Sequence, residues 1–175
     1  DIYPHQFFGP AYKGFHDKPH RIGILSKREW EETGVAWSEV SARAYAIWVR
    51  FPAASPSLTV AGVHFLNPVL HPPHYQRAEA EALASLVNRF DGPVVAAGDF
   101  NMTPFSARFG GMVKKAGLRR ANGGINTTWP SLLTPLGLSL DHFLVTAKVK
   151  KATMRVGPRL NSDHRPIVGN FGLEP

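Results

Sequence analysis

Three short clusters place a carboxylate beside a hydrogen-bonding partner: Gly98-Asp99-Phe100-Asn101, Leu140-Asp141-His142-Phe143 and Ser162-Asp163-His164-Arg165-Pro166. A further candidate, His64, closes the apolar run at Val63-His64-Phe65. Carboxylates hold hard divalent cations and activate water, while imidazoles move protons or balance developing charge. Together these groups could cleave a phosphate ester with a metal ion. A carboxylate behind a histidine also fixes the ring's tautomer and raises its pKa, so that it is cationic near neutral pH.

The charge distribution makes these carboxylates conspicuous. The chain has 175 residues and a formal charge of +7. From residue 101 onward there are 11 Lys and Arg against three acids, Asp141, Asp163 and Glu174, whereas the first hundred residues carry 9 against 10. Two of the three acids in a strongly basic stretch therefore fall in candidate site clusters. A basic wall around a few carboxylates suits an enzyme acting on a polyanion, such as nucleic acid, a phosphorylated headgroup or another phosphoester. A solvated basic face explains a charge excess equally well when it stands alone.

The absence of cysteine excludes disulfides, thiolate zinc sites and cysteine nucleophiles. A metal would have to sit on oxygen and imidazole, which points to Mg2+, Mn2+ or Ca2+ before zinc. No apolar run approaches the length of a membrane span, and no signal peptide is visible. With 43% hydrophobic residues, positions 1–175 read as one domain with a real core.

The elements that must position these groups follow from pattern. Residues 1–20 read as an approach with at most a short strand, and 21–26 as a buried strand. Runs 42–51 and 58–65 read as a hairpin turned at 52–57, its second strand delivering His64 to an end. Apolar residues at three- and four-residue steps predict a helix over 74–90, stopped by Asp91-Gly92-Pro93. A buried strand over 93–98 then sets Asp99 and Asn101 at its exit. Thr103-Pro104 predicts a second helix, from a Thr N-cap to about Ala116, closed by Gly117. Residues 119–139 read as a long loop, 138–146 and 149–156 as a second hairpin, and 166–171 as the last strand. This alternation implies an α/β sandwich with a site along strand ends.

In that order and at those separations, the three clusters resemble the endonuclease/exonuclease/phosphatase superfamily with its DNase-I-like fold. Val63-His64-Phe65-Leu66-Asn67-Pro68, Thr128-Trp129-Pro130 and Ile22-Gly23-Ile24-Leu25-Ser26 fit the same pattern, so the resemblance spans about residues 21–171. It implies a metal-dependent phosphoesterase on a four-layer αββα sandwich. Asp99 would activate or orient the attacking water, and Asn101 would bind a phosphate oxygen. Asp163, with Asp99, would hold the cation. His164, oriented by Asp141, would contact the scissile phosphate, and His64 would act as proton donor or second phosphate contact. Arg43 could reach a phosphate or snorkel from a sheet edge. Trp129 could stack on a base or headgroup, or serve as a packing plug. His71 and His74 could bind metal, though a proline turn before a helix accounts for both.

Members of the superfamily begin with a strand carrying an Asn and another carrying a Glu that is a principal metal ligand. Nothing before Arg21 matches that pair, so the chain resembles the C-terminal two-thirds or so of the fold. That reading leaves sheet surface uncovered and predicts self-association, a swapped element or a covering segment. It also keeps two rivals open beside a nuclease or phosphodiesterase: a phosphatase on a small or lipid phosphoester, and a non-catalytic basic module that binds a polyanion.

Overall fold

The computed structural model describes residues 2–14, 21–52, 57–133 and 136–173. Ten strands and two helices follow in the order β1 (His5–Gly9), β2 (Ile22–Ser26), β3 (Glu32–Trp37), β4 (Ala44–Phe51), β5 (Leu58–His64), α1 (Pro73–Val87), β6 (Val94–Asp99), α2 (Ala107–Lys115), β7 (Leu118–Arg120), β8 (Asp141–Thr146), β9 (Val149–Val156) and β10 (Ile167–Leu173). Six of the strands form a central sheet in the order β3-β4-β5-β6-β8-β7, and two two-stranded sheets, β1-β2 and β9-β10, accompany it. Only β5 and β6 pair in parallel, joined by the crossover helix α1. No helix among the described residues is long and apolar enough to cross a membrane.

Apolar side chains determine how the layers stack. Both helices cover one face of the central sheet, where Trp48, Val63, Phe65, Leu83, Phe100 and Phe109 share one core. On the opposite face Val95 and Val145 pack with Val149, Ala152 and Phe171, which bring β9 and β10 against the sheet. The hairpin β1-β2 lies on that face too, because Gly62 leaves room for Ile22 and Ile24 beside β5. The described layers are therefore helices, a large sheet, and two small sheets. Neither β1 nor β2 carries an Asn or a Glu.

The structure departs from the sequence expectations in four places. Strand β3 was not anticipated; it has no strict alternation and owes its place to pairing with β4 from Glu32 to Trp37. The second helix begins later than Thr103, since Ser106 is the N-cap and its hydroxyl accepts from the Phe109 amide at 3.2 Å. The predicted hairpin over 138–156 does not form: β8 is paired on both edges, by β6 and β7, so β9 leaves for the other face and pairs with β10. Strand β7 occupies the start of the segment expected to be a loop. In the expected turn at 52–57, residues 53–56 lie outside the described residues.

Register fixes the site. Across three neighbouring strands His64 stands opposite Asp99, and Asp99 opposite Asp141. Three of the candidate side chains are thereby lined up at one end of the sheet by backbone pairing alone.

Candidate active site

The geometry of Gly98-Asp99-Phe100-Asn101 explains each of its letters. Gly98 has φ of +140°, and a Cβ there would lie 2.0 Å from the Val63 carbonyl oxygen of the neighbouring strand. Only glycine allows that approach. Phe100 is fully buried and meets Phe65, Phe109 and His142 edge-on or tilted, which anchors the strand exit in the core. Asp99 and Asn101 flank it. Asn101 takes a left-handed φ of +48°, a conformation that Asn tolerates better than most residues. Its amide nitrogen donates to Asp99 Oδ1 at 2.8 Å, and its side-chain Nδ2 donates to Asp99 Oδ2 at 3.0 Å and to the Phe65 carbonyl at 2.9 Å.

The two imidazoles bracket Asp99. His164 Nε2 and His64 Nε2 each lie 4.0 Å from Asp99 Oδ2. His164 Nδ1 is held by Asp141 Oδ2 at 2.8 Å, which aims the other nitrogen into the cleft. His164 is anchored again by its backbone amide, which donates to Ser162 Oγ at 3.1 Å. Asp163 points its Oδ2 at Trp129 Nε1, 3.3 Å away, so Trp129 serves as a hydrogen-bond donor to a site carboxylate. His142 turns inward, fully buried, with Nε2 2.9 Å from the Met102 carbonyl, and takes no part in the cleft.

These surroundings push the ionisable groups apart. Burial raises the Asp99 carboxyl to about 6 against the opposing amide of Asn101, with repulsion from Asp141 and Asp163 adding to the rise. Burial lowers His64 to about 4, helped by Arg43, Arg21 and His164. The hydrogen bond that His164 donates to Asp141 outweighs burial and raises the pKa of the ring. In the free protein one imidazole is thus held neutral and its neighbour is biased to the cation, either side of a carboxylate that titrates near neutrality. Such divergence within one cleft is a mark of acid-base sites.

A cleft of about 430 Å³ gathers His64, Asp99, Asn101, Asp163 and His164, with Arg21 and Arg43 in its wall. Arg43 is 2% exposed, and its guanidinium donates to the His64 carbonyl at 2.7 Å and lies 3.8 Å from Glu79. It therefore holds the backbone of His64, where the sequence left a phosphate contact and snorkelling from a sheet edge both open. Its neighbours were not anticipated. The fully buried Glu79 accepts from the Leu66 amide at 2.8 Å. Gln76 donates to the carbonyls of Leu66 and Asn101 and accepts from Arg108 at 2.6 Å. Both lie on the apolar face of α1, in step with Leu83 and Leu86. Polar residues at core positions of an amphipathic helix were the signal that could have found them.

Among the described residues no group of three His, Asp or Glu side chains forms a ready metal-ligand shell, His71 and His74 included. The cleft offers two carboxylates, Asp99 and Asp163, whose mutual repulsion a cation would relieve. That donor set fits magnesium, which takes one or two carboxylates and fills its octahedron with water and phosphate oxygens. It does not supply the many protein oxygens of a calcium cage.

The model of the Endonuclease/Exonuclease/phosphatase family matches residues 2–164. The chain belongs to that family. Its members are hydrolases that act on phosphoester bonds, and the fold is the DNase-I-like α/β sandwich. The match takes in nearly all of the first twenty residues, further than the motifs alone had reached.

Solved structures of the family agree on the fold. An endonuclease/exonuclease/phosphatase from Bacteroides vulgatus is similar at a TM-score of 0.78 and 19% identity, over 97% of this chain and 76% of that one. The 3' phosphatase NExo from Neisseria, bound to a product DNA hairpin, gives 0.69 and 18%, over 96% and 79%. A truncated TDP2 from Caenorhabditis elegans gives 0.66 and 15%, over 95% and 74%. No curated protein matches the sequence.

Proposed function

We propose that this family member is a divalent-metal-dependent phosphodiesterase or nuclease, hydrolysing its substrate by in-line attack of water on phosphorus. The observation that carries the reading is the row His64, Asp99, Asp141 across three paired strands, with His164 seated on Asp141 and facing Asp99. In-line displacement needs a nucleophile on one side and neutralisation of charge on the phosphoryl oxygens.

Asp99 is the group to orient and activate water, because its carboxylate is fixed at the strand end by two hydrogen bonds from Asn101 and faces His164. Cationic His164 binds the phosphoryl oxygens and stabilises the charge that develops there, while Asn101, both of whose Nδ2 hydrogens are engaged by Asp99 and the Phe65 carbonyl, holds the carboxylate in place rather than meeting the phosphate as expected from sequence. His64, neutral in the free protein, contributes a hydrogen bond to the phosphoryl group. Asp163, with Asp99, would hold a magnesium ion, which when bound supplies further charge neutralisation.

The test is hydrolysis of bis-para-nitrophenyl phosphate and of plasmid DNA during a magnesium titration. Turnover that requires the cation and falls by about 10² to 10⁴ in Asp99→Ala and His164→Ala supports the reading. If there is no turnover, and polyanion binding is salt-sensitive, metal-independent and unchanged by Asp99→Ala, the chain is a binding module and the proposal fails.

A further inference from the structure

The strands that carry His64 and Asp99 end at those residues, so the backbone beyond them leaves the regular ladder. Two carbonyls past the ends, those of Leu66 and Asn101, are both taken by one side chain. Gln76 Nε2 donates to Asn101 at 2.8 Å and to Leu66 at 3.2 Å, from a position on α1 that is 2% exposed. Both amide hydrogens are thereby spent on the two segments that emerge beside the cleft. An apolar side chain would pack this face of the helix at less cost in desolvation, so the buried amide is accounted for by these bonds.

The orientation of that amide is fixed from the other helix. Arg108 Nη1 of α2 donates to Gln76 Oε1 at 2.6 Å. Turning the amide over would set its oxygen against two carbonyl oxygens and its nitrogen against a guanidinium. Arg108 stands at a groove of about 500 Å³ between α1 and α2 that Glu81 also lines. Among the described residues it nevertheless forms no ion pair and turns to the neutral amide instead.

Asn101 transmits this hold. Its φ of +48° is a conformation that a residue other than glycine keeps only where its surroundings determine it. Its carbonyl is gripped by Gln76, while its amide and Nδ2 reach Asp99 Oδ1 and Oδ2 at 2.8 and 3.0 Å. We infer that Gln76, oriented by Arg108, is a positioning residue: it keeps Asn101 in the conformation that fixes both oxygens of Asp99, and so sets where that carboxylate meets the attacking water. The inference rests on the phosphoesterase reading of the site and adds to it two residues that do not line the cleft.

Two readouts test it. In nitrogen-15 NMR spectra of the metal-free protein, Gln76→Met should move the Asn101 amide upfield as its bond to Asp99 lengthens, while amides of β8 such as Leu144 keep their shifts. With bis-para-nitrophenyl phosphate and saturating magnesium, the same variant should lose about 10- to 100-fold in kcat with KM changed by less than about twofold, the signature of a displaced reacting group. Arg108→Met should lose several-fold, because the amide is then free to turn, and Arg108→Lys, which restores a donor, should recover most of that loss. Arg77→Met, at an exposed neighbour in the same groove, should leave kcat at the wild-type value. If Gln76→Met does not fold, the Arg108 variants, at a partly exposed position, decide the question. Wild-type kcat with an unmoved Asn101 amide in Gln76→Met overturns the inference, as does an Arg108→Met variant that turns over like the wild type. A Gln76-dependent shift of the Asn101 amide in a chain whose wild type turns nothing over would instead refute the phosphoesterase reading and leave the hold on Asp99 standing.

Discussion

Replacing Glu79 by Ala removes one carboxylate that performs two tasks, and the cost can be worked from its contacts. The Leu66 amide loses its 2.8 Å acceptor in a buried position, which costs about 1–3 kcal/mol. Arg43, 2% exposed, loses its acid partner among the described residues, and breaking a buried pair from one side costs about 3–5 kcal/mol. The separation of 3.8 Å is long, and Arg43 keeps its bond to the His64 carbonyl, so the lower end applies. Glu79→Ala is therefore expected to lose about 4 kcal/mol of unfolding free energy. Glu79→Gln retains an acceptor for Leu66 and should lose about half as much. Arg43→Met in the Glu79→Ala background recovers part of the loss, with a coupling energy of about 1–3 kcal/mol. Urea unfolding followed by circular dichroism reads all four corners of this cycle. A loss under about 1 kcal/mol for Glu79→Ala, or no coupling to Arg43, would refute the claim that this pair holds the His64 strand end.

Three further outcomes follow from the same geometry. Gly98→Ala should cost several kcal/mol or prevent folding, because its methyl would meet the Val63 carbonyl; a soluble variant with an unchanged Tm would be contrary evidence. By NMR titration the ring of His164 should have a pKa above 6.5, since Asp141 favours its cation, and Asp141→Asn should lower it. The stability contributed by that pair is full below pH 6.5 and declines as pH rises through the folded-state value, so Asp141→Asn should cost most in acid. At Asp99 the sign is opposite: its carboxyl is raised from 3.8 to about 6, so the ionised form burdens the fold above pH 6 and the burden lifts as pH falls toward 4. Without divalent cation, Asp99→Asn should stabilise the protein by about 1–2 kcal/mol at pH 8 and by little near pH 4, and added magnesium should stabilise the wild type alone.

The candidate site groups were legible because they sit at strand ends, where side-chain type and backbone pattern change together. Asp99 and Asn101 flank Phe100, and that alternation declares which residue enters the core and which two face the cleft. The pairing of Asp141 with His164 came with the family resemblance and not from the clusters themselves, and in the structure the bond forms at 2.8 Å. What sequence could not show was pairing at a distance. The path of β9 away from β8 depends on both β8 edges being occupied, one of them by the three-residue β7, which no local pattern announces. Arg43 looked free to meet phosphate because its partner Glu79 lies 36 positions later on a helix, and only the fold brings them together.

Hydrolysis of bis-para-nitrophenyl phosphate in water enriched in heavy oxygen, with magnesium present, tests the central claim most directly. If water attacks phosphorus from a site built on Asp99 and His164, the label appears in para-nitrophenyl phosphate, and both turnover and label are lost in Asp99→Ala. Label in para-nitrophenol, or turnover that persists undiminished in Asp99→Ala, would contradict it.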